Sequence, residues 1–150
     1  MYTRILVATD GSKTAALAVG EACRLAQGTA ARVRIVHAVD SPYAYADAWY
    51  LAGAVDVDAV DRAWHRAGQA IVDQAAAQAR EAGITAETAL LDTGGRRVSR
   101  VIVDEAERWP ADVIVIGSHG RQDLEQLLIG SVAEGVARTA RTPVLLIRSR

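Results

Sequence analysis

Two kinds of hydrophobic pattern alternate along the chain. Ile5-Leu6-Val7-Ala8, Val113-Ile114-Val115-Ile116 and Val144-Leu145-Leu146-Ile147 are apolar at every position, as strands buried on both faces are. Val33, Ile35, Val36, Ala38 and Val39 make a further strand closed by Asp40-Ser41-Pro42, and Ile84, Ala86, Thr88 and Leu90 alternate like a strand nearer an edge. Between these runs the apolar positions recur at helical spacing. Ala15, Leu17, Ala18, Ala22, Leu25 and Ala26 follow the N-cap candidate Ser12 and stop at Gly28. Val60, Trp64, Ala67, Ile71, Ala75, Ala79 and Ala82 mark a long amphipathic helix from Asp58 to Gly83. Val98, Val101, Ile102 and Ala106 mark another up to Trp109-Pro110, and a last helix spans Ser131 to Ala140. Residues 43–57, with Tyr43, Tyr45, Trp49 and Tyr50 among alanines, show no clear period and read as a crossover or excursion.

Five strands alternating with helices predict an open α/β fold, a parallel sheet with helices on both faces. The first and fourth strands are the most apolar outside the C-terminus, which places them centrally. If they are neighbours, the strand order is 3-2-1-4-5 and reverses between them. Folds of this kind take ligands in the crevice at that reversal, beyond the carboxyl ends of the strands.

Composition narrows the class. The 150 residues, 15.9 kDa, amount to one domain, residues 1–150. Hydrophobic residues at 51% and charged residues at 23% exclude a disordered chain. A formal net charge of −1 gives no basic field for nucleic acid or an anionic membrane. No apolar run approaches the ~20 residues of a membrane span, and Ile5–Ala8 is too short for a signal-peptide core, so the expectation is a soluble cytoplasmic protein. Thirty alanines and no phenylalanine predict an aliphatic interior. The single Cys23 cannot form an internal disulfide and reads as buried and inert.

Two segments fall at the expected reversal: Thr9-Asp10-Gly11-Ser12 and Gly117-Ser118-His119-Gly120. The second opens a longer spacing, Gly117-x2-Gly120-x9-Gly130-Ser131. Gly117 and Gly120 would let the backbone turn and approach a ligand, and Gly130-Ser131 opens a helix whose free N–H groups and dipole favour an anion. Glycines after strands also simply make turns, and Ser131-Val132-Ala133-Glu134 is a capping box that needs no ligand. No Gly-x4-Gly-Lys-Ser/Thr and no Gly-x-Gly-x-x-Gly is present, and no general base is placed by the pattern. His37 reads as a satisfied core histidine, His65 as a solvated helix residue, and Trp49 and Trp64 as packing residues. His119, within the glycine loop, could bond ribose or phosphate. The histidines lack ligand spacing, so no structural metal is expected. Arg96, Arg97 and Arg100 read as a solvated face, with a phosphate role as the alternative.

The chain resembles the universal stress protein family in its nucleotide-binding branch, over nearly all of its length. The likeness lies in Ile5-Leu6-Val7-Ala8-Thr9-Asp10-Gly11-Ser12, in Val36-His37-Ala38-Val39, in Ile116-Gly117-Ser118-His119-Gly120 and Gly130-Ser131-Val132-Ala133, and in Pro143-Val144-Leu145-Leu146-Ile147. It implies a Rossmann-like fold of the adenine nucleotide alpha hydrolase-like type with ATP, accompanied or not by Mg2+, as the ligand. It places Thr9 and Asp10 near ribose, phosphates and any divalent ion. Ala38 and Val39 would line the adenine, with backbone groups giving hydrogen bonds and Ile116 on its other side, and Gly117, His119, Gly120, Gly130, Ser131 and Val132 would surround ribose and phosphates. Ala133 stands where relatives carry a hydroxyl, which puts affinity and phosphate number in question. A regulator of stress response is the implied role, with a slow ATPase or phosphotransferase and a nucleotide-free interaction module as alternatives.

A partner is also expected. Val144–Ile147 falls at the sheet edge in the order above yet is apolar on both faces, an invitation to pair with another chain. Leu124, Leu127, Leu128 and Ile129 could extend that surface, so a homodimer through the last strand is expected, in accord with the resemblance.

Overall fold

The computed structural model describes residues 1–48, 53, 55–120 and 128–149. Trp49, Tyr50, Leu124 and Leu127 lie outside the described residues. In chain order the elements are β1 (Arg4–Ala8), α1 (Lys13–Ala26), β2 (Arg32–Val39), a 3-10 turn (Pro42–Tyr45), α2 (Val57–Glu81), β3 (Ala86–Asp92), α3 (Val98–Arg108), β4 (Val113–Gly117), α4 (Ser131–Thr139) and β5 (Val144–Ile147). The five strands form one parallel sheet in the order β3-β2-β1-β4-β5, as expected from the sequence.

The alternation of side chains along β1 divides the interior into two layers. Ile5 and Val7 pack on α1 and α2 with Ala18, Ala22, Cys23 and Ala79. Leu6 and Ala8 face α3 and α4 with Val101, Ile102, Ala106 and Val136. Because β1 lies between β2 and β4, the side chains from Ile5 to Ala8 are all buried, and the small residues of α1 let that helix lie close to the sheet. Cys23 is buried in the first layer, and burial pushes its thiol above the ordinary value. Among the described residues no helix is long and apolar enough to cross a membrane.

Two boundaries differ from the sequence reading, each for a local reason. β3 begins at Ala86 rather than Ile84 and continues to Asp92. The Ile84 N–H donates to the carbonyl of Ala79, 2.9 Å, and Gly83 has φ +78°, so Ile84 belongs to the C-terminal closure of α2. α4 begins with Ser131 inside the helix, and its N-cap is Gly130. His65 is not merely solvated: its Nε2 lies 2.7 Å from Asp92 Oδ1, and its Nδ1 lies 2.9 Å from the Asp61 carbonyl. It ties α2 to the end of β3, and these contacts hold its imidazole above the ordinary value, the Asp61 carbonyl being the largest cause. Arg96 and Arg100 both pair with Asp104 on the surface of α3.

Candidate functional site

β1 pairs with β2 on one side and β4 on the other, and the connections leaving β1 and β4 run to opposite faces of the sheet. The reversal opens a cavity of about 420 Å³ beyond the carboxyl ends of these strands. One wall is apolar: Ala8 and Val36 of β1 and β2, Ala38 beyond them, Ile116 of β4, and Val98 and Ile102 of α3. Thr9, Asp10, His37, Ser118, His119 and Ser131 give the cavity its polar lining, the glycines 117, 120 and 130 its bare backbone, and Ala15, Val132 and Ala133 complete it.

Ten of the eleven residues proposed from the sequence therefore line one cavity: Thr9, Asp10, Ala38, Ile116, Gly117, His119, Gly120, Gly130, Ser131 and Val132. Val39 does not. It follows Ala38 by one step on a strand, so its side chain passes to the opposite face of the sheet, where its Cγ2 fills the space beside Gly68. Its carbonyl already accepts the Thr93 N–H at 3.0 Å. Ala8, Ala15, Val36, His37, Val98, Ile102, Ser118 and Ala133 also line the cavity and were not singled out as site residues. Period-two alternation from Ala38 points to Val36, and the i, i+4 pair Val98 and Ile102 gives one face of α3, so both signals were present. His37 is held by its Nδ1 bonding the Thr9 carbonyl at 2.8 Å, and its Cδ2 lies beside Gly68 with the Cγ2 of Val39.

The glycines differ in what they do. A Cβ on Gly117 would meet Thr14 of α1, with Cγ2 at 3.0 Å and the backbone carbon at 3.1 Å, so this glycine serves the packing of strand on helix. A Cβ on Gly120 would stand 2.7 Å from Asp10 Oδ2, and the absence of one lets the loop lie against that carboxylate. Gly130 brings the start of α4 against the first loop: its N–H donates to the Ser118 carbonyl at 2.6 Å, and a Cβ there would sit 3.3 Å from the same oxygen. Two chain positions twelve apart in sequence, Ser118 and Gly130, are thus joined directly.

Two helices begin at the rim. At α1, Ser12 Oγ accepts the Ala15 N–H at 3.2 Å, Asp10 Oδ1 accepts the Ser12 N–H at 2.9 Å, and Thr9 Oγ1 accepts the Gly11 N–H at 3.2 Å. Gly11 has φ +79°, which lets the chain turn into this arrangement. At α4 the cap is Gly130, and among the described residues no side chain closes the first turn. Glu134 N–H bonds the Gly130 carbonyl at 2.9 Å, while the N–H groups of Ser131, Val132 and Ala133 find no acceptor among the described residues. The expected capping box is absent, because Ser131 already lies in the helix. Among the described residues the cavity lining contains no lysine or arginine, and its positive character is that of the open amides and dipole at the start of α4.

A parallel α/β sheet with a half-apolar, half-amide cavity at its reversal is the architecture of an open α/β protein whose crevice is the usual ligand position of such folds. The model of the universal stress protein family matches residues 1–148, and the chain belongs to that family. Universal stress protein MJ0531 of Methanocaldococcus jannaschii is 32% identical, with 99% of this chain and 83% of that protein covered. Among solved structures, a universal stress protein in complex with cAMP is similar at 26% identity and TM-score 0.72, covering 99% of each chain. The universal stress protein of Archaeoglobus fulgidus in complex with dAMP is similar at 27% identity and TM-score 0.68, covering 98% of each.

Proposed function

We propose that the chain binds an adenine nucleotide, ATP foremost, in this cavity and acts as a nucleotide-dependent regulator of a stress response, not as a fast enzyme. The observation that carries the reading is the pairing, in one cavity, of an apolar slot suited to a base with an uncapped helix start suited to a phosphate. Complexes of two similar universal stress proteins with cAMP and dAMP support an adenine nucleotide. The base would lie between Ala38 and Ile116, the phosphates would face Ser131 and Val132, and Thr9 and Asp10 would stand beside the ribose and phosphates. Among the described residues no three His, Cys, Asp or Glu side chains converge as a metal cage. Mg2+ would therefore enter with the phosphates, and Asp10 is the carboxylate in the lining that could face it.

Denaturing the freshly purified protein and identifying released small molecules by mass spectrometry tests the reading without presuming the ligand. Added Mg-ATP at 100 times its dissociation constant should raise the melting midpoint by about 5–11 °C. No released nucleotide and no shift with ATP, AMP or cAMP would favour an interaction module in place of a nucleotide receptor.

The proposal includes a homodimer joined along β5. Among the described residues β4 is the strand partner of β5, whose outer edge is thus open, and all four β5 residues are only half-buried. Leu128 is 64% exposed and Ile129 39%, on the approach to α4. Sedimentation at micromolar concentration should give a dimer, and a monomer there would contradict this part.

A further inference from the structure

We propose that the buried ion pair between Glu105 of α3 and Arg34 of β2 fixes how far α3 stands from the sheet, and so sets the bulk of the base that the cavity admits. The inference rests on the nucleotide reading above and adds to it two positioning residues that lie outside the cavity.

The same two elements that enclose the apolar slot carry this pair. Val36 and Ala38, two steps apart on one face of β2, belong to the sheet side of the cavity, and Val98 and Ile102, one turn apart on α3, face them. Followed away from the carboxyl ends of the strands, the next residue on that face of β2 is Arg34, and Glu105 stands three after Ile102 on α3. Glu105 is 2% exposed, and its Oε1 lies 3.1 Å from Arg34 Nη2. Arg108, one turn further along α3, pairs with Glu105 Oε2. The Arg34 Cζ also lies 5.6 Å from the ring centroid of Trp109, the residue at which α3 ends. Below the slot, β2 and α3 are thus fastened to each other.

Neighbouring contacts leave that fastening to decide the spacing. Against α4, α3 is tight, since a Cβ on Gly135 would stand 2.6 Å from Ser99 Oγ. Toward the edge strand it is not: a second cavity of about 400 Å³ separates Val101, Glu105 and Arg108 from Leu90, Leu91 and Asp92 of β3. The helix is therefore held sideways by α4 and has space on both flanks where it crosses the sheet. Shifting it away from β2 would draw the buried Glu105 carboxylate from a counter-charge, which costs more steeply than the loss of an apolar contact. Ile102 lies one turn from Glu105, so the width of the slot follows the ion pair.

The test compares wild type with Arg34→Met/Glu105→Leu and with Glu105→Gln. The double variant removes both charges together, so neither is left buried without the other, and Glu105→Gln keeps the shape of the side chain. AMP and N6-cyclohexyl-AMP are titrated calorimetrically, and methyl NOE spectra of the ligand-free proteins follow the contacts of Ile102 with the sheet. Wild type should bind AMP about tenfold more tightly than the bulkier analogue, and both variants should narrow that preference to about threefold or less. The Ile102 contacts should weaken in both, with those in the layer of α1 and α2 unchanged. A merely structural role would lower both affinities in proportion and leave their ratio alone. An unchanged ratio in either folded variant overturns the proposal, as does a wild type that binds both ligands equally. A wild type that binds neither overturns the nucleotide reading, and the NOE contacts then decide the rest: weakened contacts uphold the positioning of α3, and unchanged ones overturn it.

Discussion

α1 and α4 begin at the rim of the same cavity, yet Ser12 and Asp10 close the first turn of α1 while Gly130 leaves the first turn of α4 open. Both starts present backbone N–H groups that helix geometry cannot satisfy. Where the chain supplies its own acceptors, the donors are consumed and the helix is stabilised by about 1 kcal/mol. Where it supplies none, the donors and the dipole remain available to something from outside. The anionic end of a ligand is therefore expected at α4, with the base along the wall made by Ala38, Ile116, Val98 and Ile102. Thr9, Asp10 and Ser12 serve first to shape the opposite rim.

The comparison breaks most visibly at Gly130. Gly130→Asp would give α4 its own capping carboxylate and place a negative charge where the phosphate belongs. The expected result is a loss of about 100-fold or more in affinity for ATP and AMP. The melting midpoint should move by no more than about 4 °C, since the gain from capping offsets the tight 3.3 Å contact a Cβ makes with the Ser118 carbonyl. Unchanged affinity in a folded variant would remove the site assignment. Ala38→Leu should act on the other end of the ligand, weakening AMP and adenosine alike by about tenfold as the branched side chain enters the apolar slot. A Leu variant that weakens AMP alone would move the base elsewhere.

Smaller effects sharpen the contrast between the two serines. Ser12→Ala should lower stability by about 1 kcal/mol, or about 2–4 °C in melting midpoint, with AMP affinity held within about twofold. Ser131→Ala should leave the midpoint within about 1 °C, because Ser131 is exposed and caps nothing. A fall in midpoint with Ser131→Ala equal to that with Ser12→Ala would mean both helix starts are closed by side chains. The smallest effect lies away from both helices. The contacts of His65 with Asp61 and Asp92 raise its folded value, so their contribution is fully present below the unfolded imidazole value of about 6.5 and is lost as pH rises through the raised folded value. Melting scans should show His65→Ala below wild type at about pH 5.5, with the gap narrowing toward about pH 8.5. A gap that widens over that interval would contradict the sign.

The strands were legible because β1, β4 and β5 are apolar without interruption, which in a chain that alternates with helices leaves little besides a covered parallel sheet. The α1 cap was legible because Ser12 stands directly between turn residues and a helical period. The same pattern misleads at Ser131: serine followed three residues later by glutamate matches a capping box, but the bond from Gly130 to Ser118, made between segments distant in sequence, sets the extended residue one position earlier. β3 was misplaced at its start because only the backbone shows that Ile84 finishes α2. Within the site, Val39 follows from family likeness, while on the strand its side chain passes to the face beside Gly68. Val98 and Ile102 entered only as marks of a helical period, whose spacing fixes a shared face of α3 but not whether that face meets protein or a ligand.

The most direct measurement follows backbone amides in two-dimensional nitrogen-15 spectra during titration with AMP and, separately, with adenosine. AMP should produce its largest shifts at Ser131, Val132 and Ala133, with Thr14 and Ala15 nearly silent, and adenosine should leave all five largely in place. Large shifts at the start of α1 with α4 undisturbed would contradict the claim that the open helix start holds the phosphate.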